Sequence, residues 1–211
     1  MSSLSTLLLG LALGLRHATD PDHVVAMGTI VTRDHHVRRA VSTGMFWGIG
    51  HTMTVLAVGL LMLLGGVRVP ERAAAAMELL VAAMLVTLGI VAVRSRRPAE
   101  CGAERSRLPE KLLVSPLRPL VVGIVHGLAG SAATALLALA TIPDARGALL
   151  YLLLFGLGTV LGMATITALL AMSLRWVGSR SARVPVWIAR VSGSVSVGAG
   201  ILVAVRVLVL R

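Results

Sequence analysis

Six apolar stretches, at 4–31, 40–65, 73–93, 118–141, 147–174 and 185–209, alternate with short polar gaps along the chain. A helix needs about 20 apolar residues to cross a hydrocarbon layer of about 30 Å, so each stretch predicts one membrane-spanning helix. The expected fold is all-α and polytopic, with six transmembrane helices. The first stretch is too long for one span, because its 28 residues would make about 42 Å of helix. It is also interrupted by Arg16-His17-Ala18-Thr19-Asp20-Pro21-Asp22-His23. Pro21 has no backbone N–H and its ring collides with the preceding turn, which predicts a first helix broken at this motif.

Composition supports a lipid bilayer as the surroundings. The chain is 56% hydrophobic and only 14% charged, with a mean hydropathy of +0.90, whereas soluble domains carry roughly 25% charged residues. The N-terminal Met1–Leu15 lacks a basic leading region, so it reads as a first spanning helix rather than a cleaved signal. The net charge of +11 comes almost entirely from arginine, with Lys111 the single lysine. These cations fill gaps between apolar runs, which argues against nucleic acid and for positive-inside topology. The gaps on one side hold three, seven and four basic residues, fourteen together, against five on the side of the N-terminus. The expected topology is a multi-pass protein of the cell membrane with both termini extracytoplasmic. Cys101, the one cysteine, excludes a disulfide framework, a Cys-rich metal site and a thiol–disulfide carrier.

The chain also repeats. Gly14-Leu15-Arg16-His17 echoes Gly123-Ile124-Val125-His126, Gly48-Ile49-Gly50-His51 echoes Gly156-Leu157-Gly158-Thr159, and Gly89 to Arg94 echoes Gly200 to Arg206, at offsets of 109, 108 and 111. Three helices per copy force the copies into the membrane from opposite sides. Such inverted repeats are common in secondary transporters, with sites at the interface of the halves. The expected organisation is a first three-helix repeat at 1–93, a cytoplasmic linker at 94–117 and a second three-helix repeat at 118–211. The Gly-x-x-x-Gly pairs at Gly10/Gly14, Gly44/Gly48, Gly123/Gly127 and Gly158/Gly162 predict close packing inside the bundle, with a homodimer contact the alternative use.

Four of six histidines, His17, His23, His51 and His126, fall inside the apolar stretches, and Asp20 and Asp22 share a segment with the first two. Ionisable groups in the membrane are costly and face the bundle interior or a water-filled cavity. Imidazole suits nickel, cobalt, zinc and copper, and two carboxylates offset a 2+ charge. In an unbroken helix His17 and His23 would point about 120° apart, so a metal site on both needs the break at Pro21. The plain alternative is that these groups hydrogen-bond one another and hold the kink. His35 and His36, beside Asp34, read as a solvated loop. The nine methionines are scattered, which fits packing rather than copper chemistry. No Walker A glycine loop is present, so the chain does not itself hydrolyse ATP.

The motif from Arg16 to His23 resembles the signature of the nickel/cobalt transporter superfamily, an Arg-His-Ala-x-Asp-Ala-Asp-His stretch on a transmembrane helix. Phe46 to Thr52 resembles the family's Gly-His-Ser/Thr segment. His126 to Ala133 resembles the His-Gly-x-Ala-Gly-Ser-Ala-Ala segment of the smaller, urease-accessory-type nickel permeases. Pro21 replaces an Ala of the larger members, and six helices replace their eight; both departures point to the smaller branch. The resemblance implies a metal site on His17, Asp22 and His23. Asp20 either joins it or pairs with Arg16, and His51 and His126 serve as ligands or ion-path residues. It further implies a permease, not an enzyme, for uptake of a divalent transition metal such as nickel or cobalt. No cofactor is permanently bound, and a cytoplasmic metallochaperone or urease maturation factors are the partners implied. The alternatives are an intramembrane metal- or haem-binding enzyme and a metal exporter.

Overall fold

A computed structural model of the chain describes residues 3–31, 36–65, 70–94, 116–128, 139, 142, 144–179 and 183–209. Among them the secondary structure is seven helices without a strand: α1 (Ser3–His17), α2 (Pro21–Val31), α3 (Val37–Gly65), α4 (Glu71–Arg94), α5 (Leu117–Gly127), α6 (Ala145–Gly178) and α7 (Arg183–Val209). The first apolar stretch is α1 and α2, divided at Ala18–Asp20 as Pro21 predicts. Pro21 opens α2, where a missing N–H costs nothing. The helix of the fourth stretch is described through Gly127. Most of the linker at 94–117, with Cys101, lies outside the described residues, as does His35; His36 is exposed.

By length and composition α3, α4, α6 and α7 can each cross a membrane, while α1 and α5 contribute shorter apolar helices, Leu7–His17 and Leu117–Gly127. The outer surface is apolar: Leu64 is 78% exposed and Leu202 and Leu208 are 70% exposed. Water would not tolerate such a surface over the whole bundle, and hydrocarbon does. Trp176 and Trp187 are also exposed, next to Arg175 and close to Arg190 at the ends of α6 and α7. Tryptophan gathers at that level, between headgroups and hydrocarbon.

In lipid, helices associate through close packing and interhelical hydrogen bonds, because burying a leucine against protein gains little over leaving it against acyl chains. Four helix pairs meet this requirement twice over. Between α1 and α6, a Cβ on Gly14 would collide with the Phe155 carbonyl, and the Thr159 hydroxyl donates to the Gly14 carbonyl at 3.4 Å. Between α3 and α5, a Cβ on Gly123 would collide with the Trp47 carbonyl, and the Thr54 hydroxyl donates to the Ile124 carbonyl at 3.0 Å. Between α3 and α6, Gly44, Gly48 and Gly156 allow the approach, and the Thr52 hydroxyl donates to the Gly156 carbonyl at 3.2 Å. Between α4 and α7, Gly89, Gly193 and Gly200 allow it, and the Ser196 hydroxyl donates to the Leu85 carbonyl at 2.9 Å. All four Gly-x-x-x-Gly pairs of the sequence face neighbours within this chain.

The helix α2 packs against α4, α6 and α7. Its Ala26 and Met27 join Ala18, Trp47 of α3, Val81 and Leu85 of α4 and Met163 of α6 in a buried cluster. The N-terminal end of α2 faces the end of α1, where the polar motif lies.

Candidate metal centre

The break is a tight turn. The amides of Thr19 and Asp20 donate to the carbonyls of Arg16 and His17, and the Asp20 carbonyl accepts the amides of His23 at 3.0 Å and Val24 at 3.1 Å to start α2. His17 is the last residue of α1 and His23 lies in the first turn of α2. The turn brings their rings to a centroid separation of 4.7 Å, which an unbroken helix would prevent. Asp20 and Asp22 lie at the positive end of α2, where carboxylates are favoured.

Two more imidazoles arrive from other helices. His51 of α3 lies 5.0 Å from His17 and 5.1 Å from His23 between ring centroids. His126 of α5 lies 4.3 Å from His23 and 6.1 Å from His51. His23, His51 and His126 are fully buried and His17 nearly so. The glycine contacts of α3 and α5 account for this approach. Gly123 sits one turn before His126, on the face that meets the Trp47–His51 turn of α3.

The carboxylates are set behind the rings. Asp20 Oδ2 accepts from His17 Nδ1 at 2.8 Å. That commits the Nδ1 proton and leaves Nε2 as the acceptor, 3.0 Å from His51 Nε2. Asp22 Oδ1 lies 3.1 Å from His23 Nδ1, and its Oδ2 lies 3.2 Å from His126 Nε2, out of line for a hydrogen bond. Asp20 is therefore turned to His17 rather than to Arg16, the partner the sequence offered. Carboxylates on the far nitrogen of metal-ligating histidines fix tautomer and ring orientation.

Four buried imidazole nitrogens have no hydrogen-bond partner among the described residues, His23 Nε2, His51 Nδ1 and both nitrogens of His126, and the neighbouring Trp47 Nε1 has none either. Each unsatisfied buried polar atom costs roughly 1–3 kcal/mol. A kink held by internal hydrogen bonds would not leave them unpaired; donors arranged for a cation would. Two groups of donors have atoms all within 4.8 Å of one another, His17/His23/His51 and Asp22/His23/His126. Bonds of about 2.0–2.2 Å to imidazole or carboxylate require only a small closure from there.

The sequence did not single out two aromatic neighbours. Phe155 of α6 lies 5.4 Å from the His17 ring and Trp47 of α3 lies 5.7 Å from the His126 ring. They wall the centre on two sides. Their signal was available, since Trp47 and Phe155 are 108 residues apart, the same offset as Gly48 and Gly156.

The chain is similar in sequence to known proteins. A family model described as "High-affinity nickel-transport protein" matches residues 3–97. The "Urease accessory protein UreH" of a Bacillus species is 38% identical over 205 residues, covering 94% of this chain and 90% of that protein. A "High-affinity nickel transport protein" of Cupriavidus necator is 33% identical over 70 residues, 33% of this chain and 20% of that protein. No solved structure matches the chain. The polar motif and His51 lie within residues 3–97, and the chain, alike over nearly its whole length, belongs to the family of the urease accessory protein UreH.

Proposed function

We propose that this protein is a membrane permease that takes up divalent nickel, with cobalt the next candidate, through an intramembrane centre built from His17, Asp22, His23, His51 and His126, with Asp20 behind His17. One observation carries the reading: imidazoles from four helices converge, buried, with unpaired nitrogens inside an apolar bundle. Nitrogen and carboxylate donors suit nickel and cobalt, and the likeness of residues 3–97 to high-affinity nickel-transport proteins favours nickel. A urease accessory relative supports a role in supplying nickel for urease maturation in the cytoplasm.

The bundle is two inverted three-helix repeats in this reading, with α1 and α2 together as the first helix. Exchanged contacts support it. Gly14 meets Phe155 and Thr159, while Gly123 meets Trp47 and His51, the equivalents at offsets of 109 and 108. Gly158 meets Leu11 and Leu15, while Gly50 meets Leu120 and Ile124. Gly89 meets Gly193 and Val197, while Gly200 meets Ala82 and Val86, at an offset of 111. The side with fourteen basic residues is cytoplasmic and both termini are extracytoplasmic; Trp176 and Trp187 beside that basic level support the depth assigned to it.

Uptake of radiolabelled nickel into cells expressing the chain tests the proposal. His17→Ala, Asp22→Ala and His23→Ala each abolish uptake at near-normal membrane abundance. Wild-type transport in all three variants overturns the site.

A further inference from the structure

We infer that the centre is two overlapping ion sites sharing His23, and that the ion passes from one nitrogen of that ring to the other during transport. The inference rests on the permease reading and goes beyond it in dividing the donors. One site is the all-imidazole set His17, His23 and His51. The other is the carboxylate-bearing set Asp22, His23 and His126.

The division follows from the geometry of an imidazole. Its two nitrogen lone pairs diverge in the ring plane, so one ion cannot bond to both. His23 Nδ1 faces Asp22, 3.1 Å from Oδ1, and Asp22 Oδ2 in turn lies 3.2 Å from His126 Nε2. An ion on the Asp22 and His126 side must therefore use Nδ1. His23 Nε2 is buried and without a hydrogen-bond partner. It is the nitrogen left to join His17 Nε2 and His51 Nε2, which lie 3.0 Å from each other, the His51 proton moving to its unpartnered Nδ1 as the ion binds. His17 Nδ1 is already held by Asp20, so His17 too can bind only through Nε2. The two donor sets lie on opposite edges of one ring.

The sets differ in charge. Three neutral imidazoles leave the ion its full 2+ charge, with Asp20 acting only through His17. The second set places an anionic oxygen directly on the ion but gives up one of three imidazoles, the donors that nickel-type ions favour over carboxylate, so the first set holds the ion more tightly and the second holds it in passing. The exchange balances. While Nε2 holds the ion, the ring proton is on Nδ1 and is donated to Asp22. When the ion moves to Nδ1 and Asp22, that proton leaves Nδ1, is carried by the ion's hydration water, and ends on Nε2. There it donates to the His17 or His51 nitrogen the ion has vacated. His23 is neutral before and after the exchange. Asp22 trades a hydrogen bond for the ion, so no carboxylate is left unpaired at either stage.

The test uses the purified full-length chain in lipid nanodiscs, with cobalt as the probe. Affinity is measured by titration, and bound imidazoles are counted by X-ray absorption. His126→Gln keeps cobalt affinity within about threefold and keeps three imidazoles, while nickel uptake in cells falls on the order of tenfold or more. His51→Gln lowers affinity on the order of tenfold, and the cobalt still bound shows fewer imidazoles and more oxygen. Equal losses of affinity and of imidazole count in the two variants mark one composite site and overturn the inference, as does normal uptake by His126→Gln. Melting temperatures are taken for both proteins, and His126→Asn replaces a variant that fails to fold. The permease reading fails separately, if the wild-type chain in liposomes moves neither nickel nor cobalt.

Discussion

Replacing Gly123 by alanine adds one methyl group at a point that lies outside the centre yet fixes its width. The new Cβ would sit 2.9 Å from the Trp47 carbonyl carbon and 3.0 Å from the His51 nitrogen, with the Trp47 oxygen closer still. Carbon atoms rest at about 3.5–4.0 Å, so α5 must withdraw from α3 by roughly 0.5–1 Å. The obstacle is backbone on a long helix and cannot rotate aside. Overpacking of this kind costs about 1–3 kcal/mol. His126 lies three residues further along the same face of α5 and is carried with it. Its 3.2 Å approach to Asp22 then opens to about 4 Å, and misplacement of a reacting group by about 1 Å costs on the order of 10²-fold in rate. Gly198→Ala is the matched control, because a Cβ there meets nothing within 4 Å; alanine in a helix interior is favoured over glycine by about 1 kcal/mol. Nickel uptake and thermal melting of the two variants are compared at equal membrane abundance. Gly123→Ala loses most uptake and melts lower, and Gly198→Ala does neither. Wild-type uptake by Gly123→Ala would refute the claim that the α3–α5 distance sets the geometry of the centre.

Three further outcomes are expected. Asp20→Asn weakens cobalt binding by roughly 10–100-fold by loosening His17, although Asp20 need not touch the ion; unchanged affinity by titration removes Asp20 from the centre. Ser196→Ala removes the hydroxyl bond between α4 and α7 and lowers stability by about 0.6–2 kcal/mol with uptake retained, checked by melting and by transport. Cys101 resists a membrane-impermeant thiol reagent in intact cells and reacts after permeabilisation; labelling in intact cells reverses the proposed topology.

Much of this fold is written in single residues. Pro21 predicts the division of α1 from α2, because its effect on a helix is local. The apolar stretches at 40–65, 73–93, 147–174 and 185–209 give α3, α4, α6 and α7 to within three or four residues at either end, because hydrocarbon thickness sets span length. His17 and His23 are legible as a pair from the same local break. His51 and His126 join them through contacts between backbones distant in the chain; Gly123 and Gly127 mark a close-packing face of α5 in the sequence, but not that its partner is the Trp47–His51 turn of α3. The roles of Asp20 and Asp22 are less legible still. Two carboxylates two residues apart look interchangeable in sequence. Side-chain direction decides that one serves His17 alone and the other faces both His23 and His126.

The glycine contacts also have a mechanical meaning. Where a Cα rests against a neighbouring carbonyl there is no side chain to deform, so sliding one helix on the other is opposed by hard contact along the whole face. Such contacts weld α1, α3, α5 and α6 into one stiff piece and α4 with α7 into another. The helix between them, α2, is not welded to either. A Cβ on its Gly28 would meet only the Ser192 Cβ at 3.7 Å, ordinary contact, and its Met27 shares the buried cluster with Met84 and Met163. Thioether chains change shape at little cost. Yet α2 carries Asp22 and His23, while His17, His51 and His126 ride on the larger piece. In the proposed permease, rocking of the smaller piece that drags α2 with it would stretch the distances among these donors first and free the ion without parting a single welded pair.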